Sequence, residues 1–315
     1  MISKGRKIVI INQAINYLTV GLCNEFAKKF KKVSVITGNV HEQGEALNKN
    51  IEITYINKWK EKNGVRKVFI YLEALIKIFF LLITKYRNYE VFFVSVPPMA
   101  YLLNLVVKNR FSMLIWDVYP NTFKITGMNE NHPVYKSWSY LNKISFKKAY
   151  KIFTISEKML NLLSAYTSRE IYVQPIWSIF QENLKVSKNN NKFLKTHNIK
   201  DKFIVQYSGN IGITHNVEIL IRIAEELKNN KRILFQIIGR GPRKGILKQQ
   251  VENKKLSNIM FLPFQSDDMF PFSLSAADIG VVILDEKVSK GSVPSKSYNL
   301  MSYAIPSLYI SSKDS

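Results

Sequence analysis

Twice along this chain of 315 residues, short runs of β-branched residues alternate with apolar residues at helical spacing, and this alternation is its tightest constraint. Lys7-Ile-Val-Ile-Ile11 reads as a strand. Leu18, Leu22, Phe26 and Phe30 then recur at helical intervals, and Val33-Ser-Val-Ile-Thr37 reads as a second strand. A strand, a helix and a strand in that order imply a parallel pair joined by a crossover. The pattern continues through 90–95, 113–116 and 152–155. It restarts at 203–208 and runs on through a helix near 217–227 and strands at 234–238, 259–262, 279–284 and 307–311. The reading is α/β: two doubly wound domains facing a cleft, residues 1–183 and 184–315, with the asparagine-rich stretch 185–192 as a linker or exposed loop. Only four residues follow the strand at 307–311, where a doubly wound domain normally adds a covering helix, so the second domain reads as incomplete.

Apolar residues at 46% and charged residues at 22% exclude a disordered chain and a bundle of membrane spans. Cys23 is the single cysteine, which leaves no internal disulfide and no multi-cysteine metal site. The basic start is followed by an apolar run of only Ile8 to Ile11, far short of a signal peptide's core, so a cytoplasmic chain is expected. Formal charge is +23, with 26 basic against 11 acidic side chains in residues 1–180 and 20 against 12 in the rest. Such a field draws nucleic acid, anionic lipid or phosphorylated ligands. No recognition-helix motif or stacked-aromatic signature accompanies it, so nucleic acid is not an expected partner.

Residues 66–87 form a long apolar helix on sequence, interrupted by Glu73 and Lys77, which sit four apart and can pair. Those charges argue against a membrane span. With Arg66, Lys67, Lys85 and Arg87 at its ends, the segment suits an anionic inner membrane surface, Phe and Leu inward. A helix buried between the sheet and its neighbours is the alternative.

Three turns carry the chemistry. Tyr207-Ser-Gly-Asn-Ile-Gly212 follows a strand and precedes a helix; Gly209, Asn210 and Gly212 suit close backbone approach to an anion. A tight turn without ligand explains that stretch nearly as well. Ile238-Gly-Arg-Gly-Pro-Arg-Lys244 offers Gly239 and Gly241 with Arg240, Arg243 and Lys244 as phosphate partners, or is a solvated basic loop. Val293-Pro-Ser-Lys-Ser-Tyr-Asn299 places Pro294, Ser295 and Lys296 at a helix start, where a lysine can neutralise a diphosphate. All three fall at strand C-terminal ends, the ligand edge of open α/β sheets. Asp117, behind the strand at 113–116, is a candidate general base or hydrogen-bond acceptor, or else caps the next turn. His215 reads as an ordinary helix-start imidazole. The four histidines assemble no metal cluster or nucleophile triad.

These motifs, with Ile259-Met-Phe-Leu-Pro-Phe264 and Ser275-Ala-Ala-Asp-Ile-Gly280, resemble in order and spacing the family 4 glycosyltransferases, retaining enzymes of Rossmann-like GT-B fold. Val94-Ser-Val-Pro-Pro98 and Trp116-Asp-Val-Tyr-Pro120 are similar to the branch with colanic acid, O-antigen and fucosamine-transferase-like proteins. The resemblance implies transfer of a sugar from a nucleotide-diphosphate donor to a lipid-linked or oligosaccharide acceptor in surface polysaccharide (O-antigen, capsule) synthesis. It implies retention and no metal or other cofactor. By position, Gly209 and Gly212 approach the donor phosphates, Lys296 neutralises them, and Phe264 and Gln265 line the base pocket, while the acceptor is held on the Asp117 side. The family usually has glutamates where Asn299 and Gly291 stand, a glycine where Ala304 stands, and a tail beyond the last strand. These departures leave a second reading, a truncated non-catalytic homologue acting as a membrane-associated binding subunit.

Overall fold

The computed structural model describes residues 3–58, 64–178, 185–212, 215–285 and 293–313. The chain divides into two compact units, Met1–Ile176 and Trp177–Ser315.

In the first unit, β1 (Ser3–Ile11) is followed by β2 (Ala14–Ile15), α1 (Tyr17–Lys29), β3 (Phe30–Thr37), β4 (Asn39–Val40), β5 (Glu52–Tyr55) and α2 (Gly64–Ile83). Then come β6 (Glu90–Val94), a 3-10 turn at Ala100–Leu105, β7 (Phe111–Ile115), a 3-10 turn at Asn121–Thr126, α3 (Pro133–Lys148), β8 (Lys151–Thr154), α4 (Glu157–Ser164) and β9 (Ile171–Val173). The main sheet is parallel, in the order β5-β3-β1-β6-β7-β8-β9. Its middle strands are buried on both faces, which is why β1 carries the unbroken run Ile8–Ile11 and not an alternating one. Asn16 starts α1 by accepting from the amides of Leu18 and Thr19. The stripe seen in sequence lies off-centre: Thr19, Val20, Cys23 and Asn24 are buried beside Leu18, whereas Leu22 and Phe26 are only half-buried.

In α2 the core face is Ala74, Ile78 and Leu82, four apart and all buried. Phe69, Leu72, Ile76, Phe80 and Ile83 lie on the opposite side and are exposed. No ion pair joins Glu73 to Lys77; both face solvent. Among the described residues no helix is long and apolar enough to cross a membrane.

The second unit holds α5 (Lys192–Thr196), β10 (Phe203–Ser208), α6 (Glu218–Glu226), β11 (Ile233–Ile238), α7 (Lys244–Asn253), β12 (Ile259–Leu262), α8 (Phe270–Ser275), β13 (Ile279–Ile283), α9 (Lys296–Ser302) and β14 (Ser307–Ile310). Its sheet is parallel in the order β12-β11-β10-β13-β14. The stretch 185–192 is not a free linker. Asn191 is fully buried, caps α5 by accepting from the Leu194 amide, and donates to the Phe272 carbonyl. The rest of the stretch, with Asn189 and Asn190, is largely exposed as a loop reading expects, and Asn191 alone serves as a helix start. α9 ends in a Schellman arrangement: the Ile305 amide bonds the Leu300 carbonyl and the Ala304 amide bonds that of Met301. Ala304 therefore holds φ +49°, a conformation a glycine adopts at lower cost.

Candidate functional site

The strands β10, β11 and β13 run parallel and end at Ser208, Ile238 and Ile283 on one rim of the second unit. Strand order reverses between β10 and β13, and such a switch point opens a crevice at the C-terminal edge.

Lys296, the first residue of α9, reaches into that rim. Its Nζ donates to the Tyr207 hydroxyl at 3.0 Å and lies 4.1 Å from the ring centroid. A Cβ added to Gly209 would sit 3.1 Å from Lys296 Cε and 3.2 Å from Nζ, so the glycine leaves room for the end of the lysine. The Tyr207 hydroxyl donates in turn to the Asn210 carbonyl at 2.6 Å. Among the described residues no carboxylate pairs with this ammonium group. Burial pulls it down to about 7 from the usual lysine range. His215 stands close by. Burial first, and then the Lys296 charge, lowers its imidazole to about 4, so it is neutral at ordinary pH. Where Gly212 would carry a Cβ, Asn210 Nδ2 lies 3.0 Å away and His215 Nδ1 3.6 Å. Lys296, Gly209, Asn210, Gly212 and His215 are thus one cluster.

The glycines of the second turn have a different reason to be glycine. A Cβ on Gly239 would fall 1.9 Å from the Gly209 carbonyl oxygen, and one on Gly241 2.2 Å from that of Ile211. The Gly209 amide bonds the Ile238 carbonyl and the Ile211 amide that of Arg240. Gly239 and Gly241 let the two turns zip backbone to backbone, a demand already complete without a ligand. The three cations there also separate. Arg243 pairs with Glu218, and Lys244 Nζ donates to the carbonyls of Gly239 (2.8 Å) and Leu262 (3.0 Å), pinning the ends of β11 and β12. Arg240 stays outside, its guanidinium 5.6 Å from the centroid of the exposed Phe264 ring. Gln265 donates from Nε2 to the Pro263 carbonyl at 2.9 Å.

Pro294 and Ser295 precede α9; the amides of Ser297 and Tyr298 return to their carbonyls at 3.1 Å each. One turn on, Asn299 Oδ1 accepts from Ser178 Oγ at 2.9 Å, and Ser302 Oγ donates to Ser178 Oγ at 2.9 Å. Gly291 lies outside the described residues. Two cavities of about 520 and 420 Å³ open at the other end of this sheet, against Ile204 and Asp278, and touch none of these groups.

Asp117 belongs to the first unit, just past the C-terminal end of β7. Ser95 Oγ accepts from the amides of Trp116 (2.7 Å) and Asp117 (3.0 Å), which fixes the turn. Asp117 caps no helix: the following 3-10 turn starts from Pro120 without a side-chain bond. Burial raises its carboxyl above the ordinary range; burial first, and then the Asp117 charge, raises the hydroxyls of Tyr71 on α2 and Tyr119. Sequence reasoning passed over Tyr207, Ser178 and Tyr71. Only Tyr207 left a signal, a hydroxyl-bearing aromatic one residue inside the strand end of a glycine turn. Among the described residues no group of three His, Cys, Asp or Glu is placed to hold a metal ion.

The fold, parallel α/β sheets in both units, is shared with solved GT-B glycosyltransferases. The solved structure of WaaG, a glycosyltransferase involved in lipopolysaccharide biosynthesis, superposes with a TM-score of 0.66 over 96% of this chain and 80% of that one, at 13% identity. Anabaena Alr3699/HepE, solved with UDP and glucose, gives 0.67 at 14% identity over 96% and 80%. A UDP-forming α,α-trehalose-phosphate synthase from Burkholderia vietnamiensis gives 0.71 at 11% identity over 98% and 84%. Residues 189–306, within the second unit, match the model of the family Glycosyl transferases group 1. WcaI of Escherichia coli (strain K12), named as a glycosyl transferase of colanic acid biosynthesis, is 29% identical over 154 residues, covering 48% of this chain. WbjE of Pseudomonas aeruginosa, named as a glycosyltransferase, is 23% identical over 218 residues, covering 67%. The aligned stretches span 38% and 54% of these two relatives' own lengths.

Proposed function

We propose that this chain moves a glycosyl group, with retention, from a nucleotide-diphosphate sugar to a lipid-linked or oligosaccharide acceptor in cell-surface polysaccharide synthesis, working at the cytoplasmic face of the membrane. The observation that carries this reading is the Lys296 ammonium group, held by Tyr207 against Gly209 at the sheet's ligand rim and paired with no carboxylate among the described residues. A cation in that state gains most from a ligand carrying dense negative charge. As the bond from sugar C1 to the diphosphate oxygen breaks, its electron pair stays on the phosphate, where Lys296 meets the growing charge without a metal ion. The exposed Phe264 ring with Arg240 beside it, and the neighbouring Gln265, offer stacking and hydrogen bonding to the base. Gly209, Asn210 and Gly212 line the phosphates, with Gly239 and Gly241 supporting them. Pro294 and Ser295 start the helix that presents Lys296, and Asn299 reaches the ribose. The acceptor oxygen bonds to C1, and its proton passes to Asp117, made a stronger base by burial. A relative named for colanic acid biosynthesis supports the assignment to surface polysaccharide synthesis. The exposed apolar ridge of α2 supports docking on an anionic membrane.

A binding-subunit reading draws on Asn299: it has no charge to offer a ribose, and its oxygen already accepts from Ser178. Turnover separates the two. Radiolabelled nucleotide sugars incubated with membrane extract should yield labelled product with the wild type and none with Lys296→Ala. Tight donor binding without turnover would make the chain a binding subunit, and donor binding untouched by Lys296→Ala would remove the site.

A further inference from the structure

The sequence places a membrane contact on α2 alone; the fold puts a second helix on the same face of the sheet. In the first unit's sheet the connections from β5 to β6, β6 to β7 and β7 to β8 step in the same direction, while that from β1 to β3 steps the other way. Right-handed crossovers therefore lay α2, the Ala100–Leu105 turn and α3 on one face and α1 on the other. The turn sits between the two helices: Asn104 donates to the Ser145 carbonyl at 2.8 Å, Lys148 Nζ reaches the Leu105 carbonyl at 3.1 Å, and α2 packs on the turn's other flank.

On this face the core side of α3 is Tyr135, Trp138, Asn142, Ser145 and Phe146. Its outer side carries Tyr140, 65% exposed, and Ile144, one turn apart, with Lys136, Lys143 and Lys147 around them. Val106, 66% exposed, stands at the end of the turn next to Lys108. α3 has no acidic residue and α2 has one, Glu73. Apolar tips set among lysines, with almost no opposing charge, complement a surface that is greasy within and anionic at its rim.

We infer that α2 and α3 together form a two-helix platform that seats the first unit on an anionic lipid bilayer, α3 supplying the electrostatic half through Lys136, Lys143 and Lys147 around Tyr140. This rests on the membrane reading proposed above and deepens it. Two parallel lines of contact fix the roll of the unit about α2, which a single helix leaves free. A soluble anionic partner would use the lysines and have no need of the apolar tips, and a second copy of this chain would meet like charge.

The test is sedimentation of the full chain with phosphatidylcholine vesicles, with and without phosphatidylglycerol, for the wild type, Lys143→Gln/Lys147→Gln and Phe80→Asp. Far-UV circular dichroism and thermal unfolding confirm each variant's fold. Each lysine near such a surface contributes about fivefold, so the double variant should bind anionic vesicles roughly 30-fold more weakly. Phe80→Asp should weaken binding to both vesicle types. Unchanged binding by the double variant, with Phe80→Asp impaired, overturns the role of α3 and leaves a membrane contact through α2. No vesicle binding by the wild type overturns both, as does concentration-dependent dimerisation in its place. UDP binding measured on the same preparations reports on the donor site independently.

Discussion

Lys296 makes a strong prediction about protons. With its ammonium near pKa 7 in the folded chain, most of these groups are neutral at pH 8. The unfolded chain holds the same lysine at about 10.4 and so binds more protons between pH 7 and pH 10. Where the unfolded state binds more protons, stability rises with pH. Ligand-free stability should therefore climb across that window, by at most roughly 4–5 kcal/mol at about 1.36 kcal/mol per pKa unit. A diphosphate reverses the balance by restoring the charge. Donor binding at pH 8 should take up about 0.9 proton, and affinity should fall close to tenfold per pH unit above 7 until the lysine's bound-state pKa is reached. A UDP-sugar is the right probe, since its diphosphate has no free terminal group to titrate. Calorimetry in two buffers of different ionisation enthalpy gives the proton count directly. Lys296→Met should abolish the uptake and weaken binding by about 10- to 150-fold, the loss of a charge-assisted bond. Zero uptake by the wild type, or equal uptake by Lys296→Met, refutes the reasoning.

Asp117→Asn should lower turnover by about 10²- to 10⁴-fold while leaving UDP-sugar affinity unchanged, as steady-state kinetics and calorimetry together will show. Gly239→Ala forces a Cβ onto the Gly209 carbonyl and should cost about 2–4 kcal/mol in urea unfolding, with donor binding impaired in proportion to the displaced turn. Ala304→Gly, which relieves a left-handed alanine, should raise stability by roughly 1 kcal/mol, read as a higher denaturation midpoint at unchanged slope.

The doubly wound architecture is legible because strands of a parallel sheet covered on both faces are written as largely apolar runs: 203–208, interrupted at Gln206 and Ser208, and 259–262 coincide with β10 and β12. β5 and β9 escape for the same reason reversed. They are edge strands of four and three residues, only partly buried, and carry no such run. The rim turns are visible as glycine punctuation, yet the reason for each glycine is not. Gly209 makes room for a lysine 87 residues away in sequence, whereas Gly239 and Gly241 make room for backbone. Likewise Arg240, Arg243 and Lys244 look alike as a basic cluster, and only their partners in space (Phe264, Glu218, two carbonyls) tell them apart. Helical spacing identifies α2 but does not say which side of an all-apolar cylinder meets the core.

The stitching of the 209–212 turn to the 239–241 turn limits how this rim can adjust to an incoming molecule. Neither loop swings without tearing amide–carbonyl bonds shared with the other, so the pair behaves as a fixed wall. Accommodation then falls to the flexible four-carbon arm of a single lysine, which can leave its tyrosine and follow the guest by rotating about its own bonds, with no hinge in the main chain.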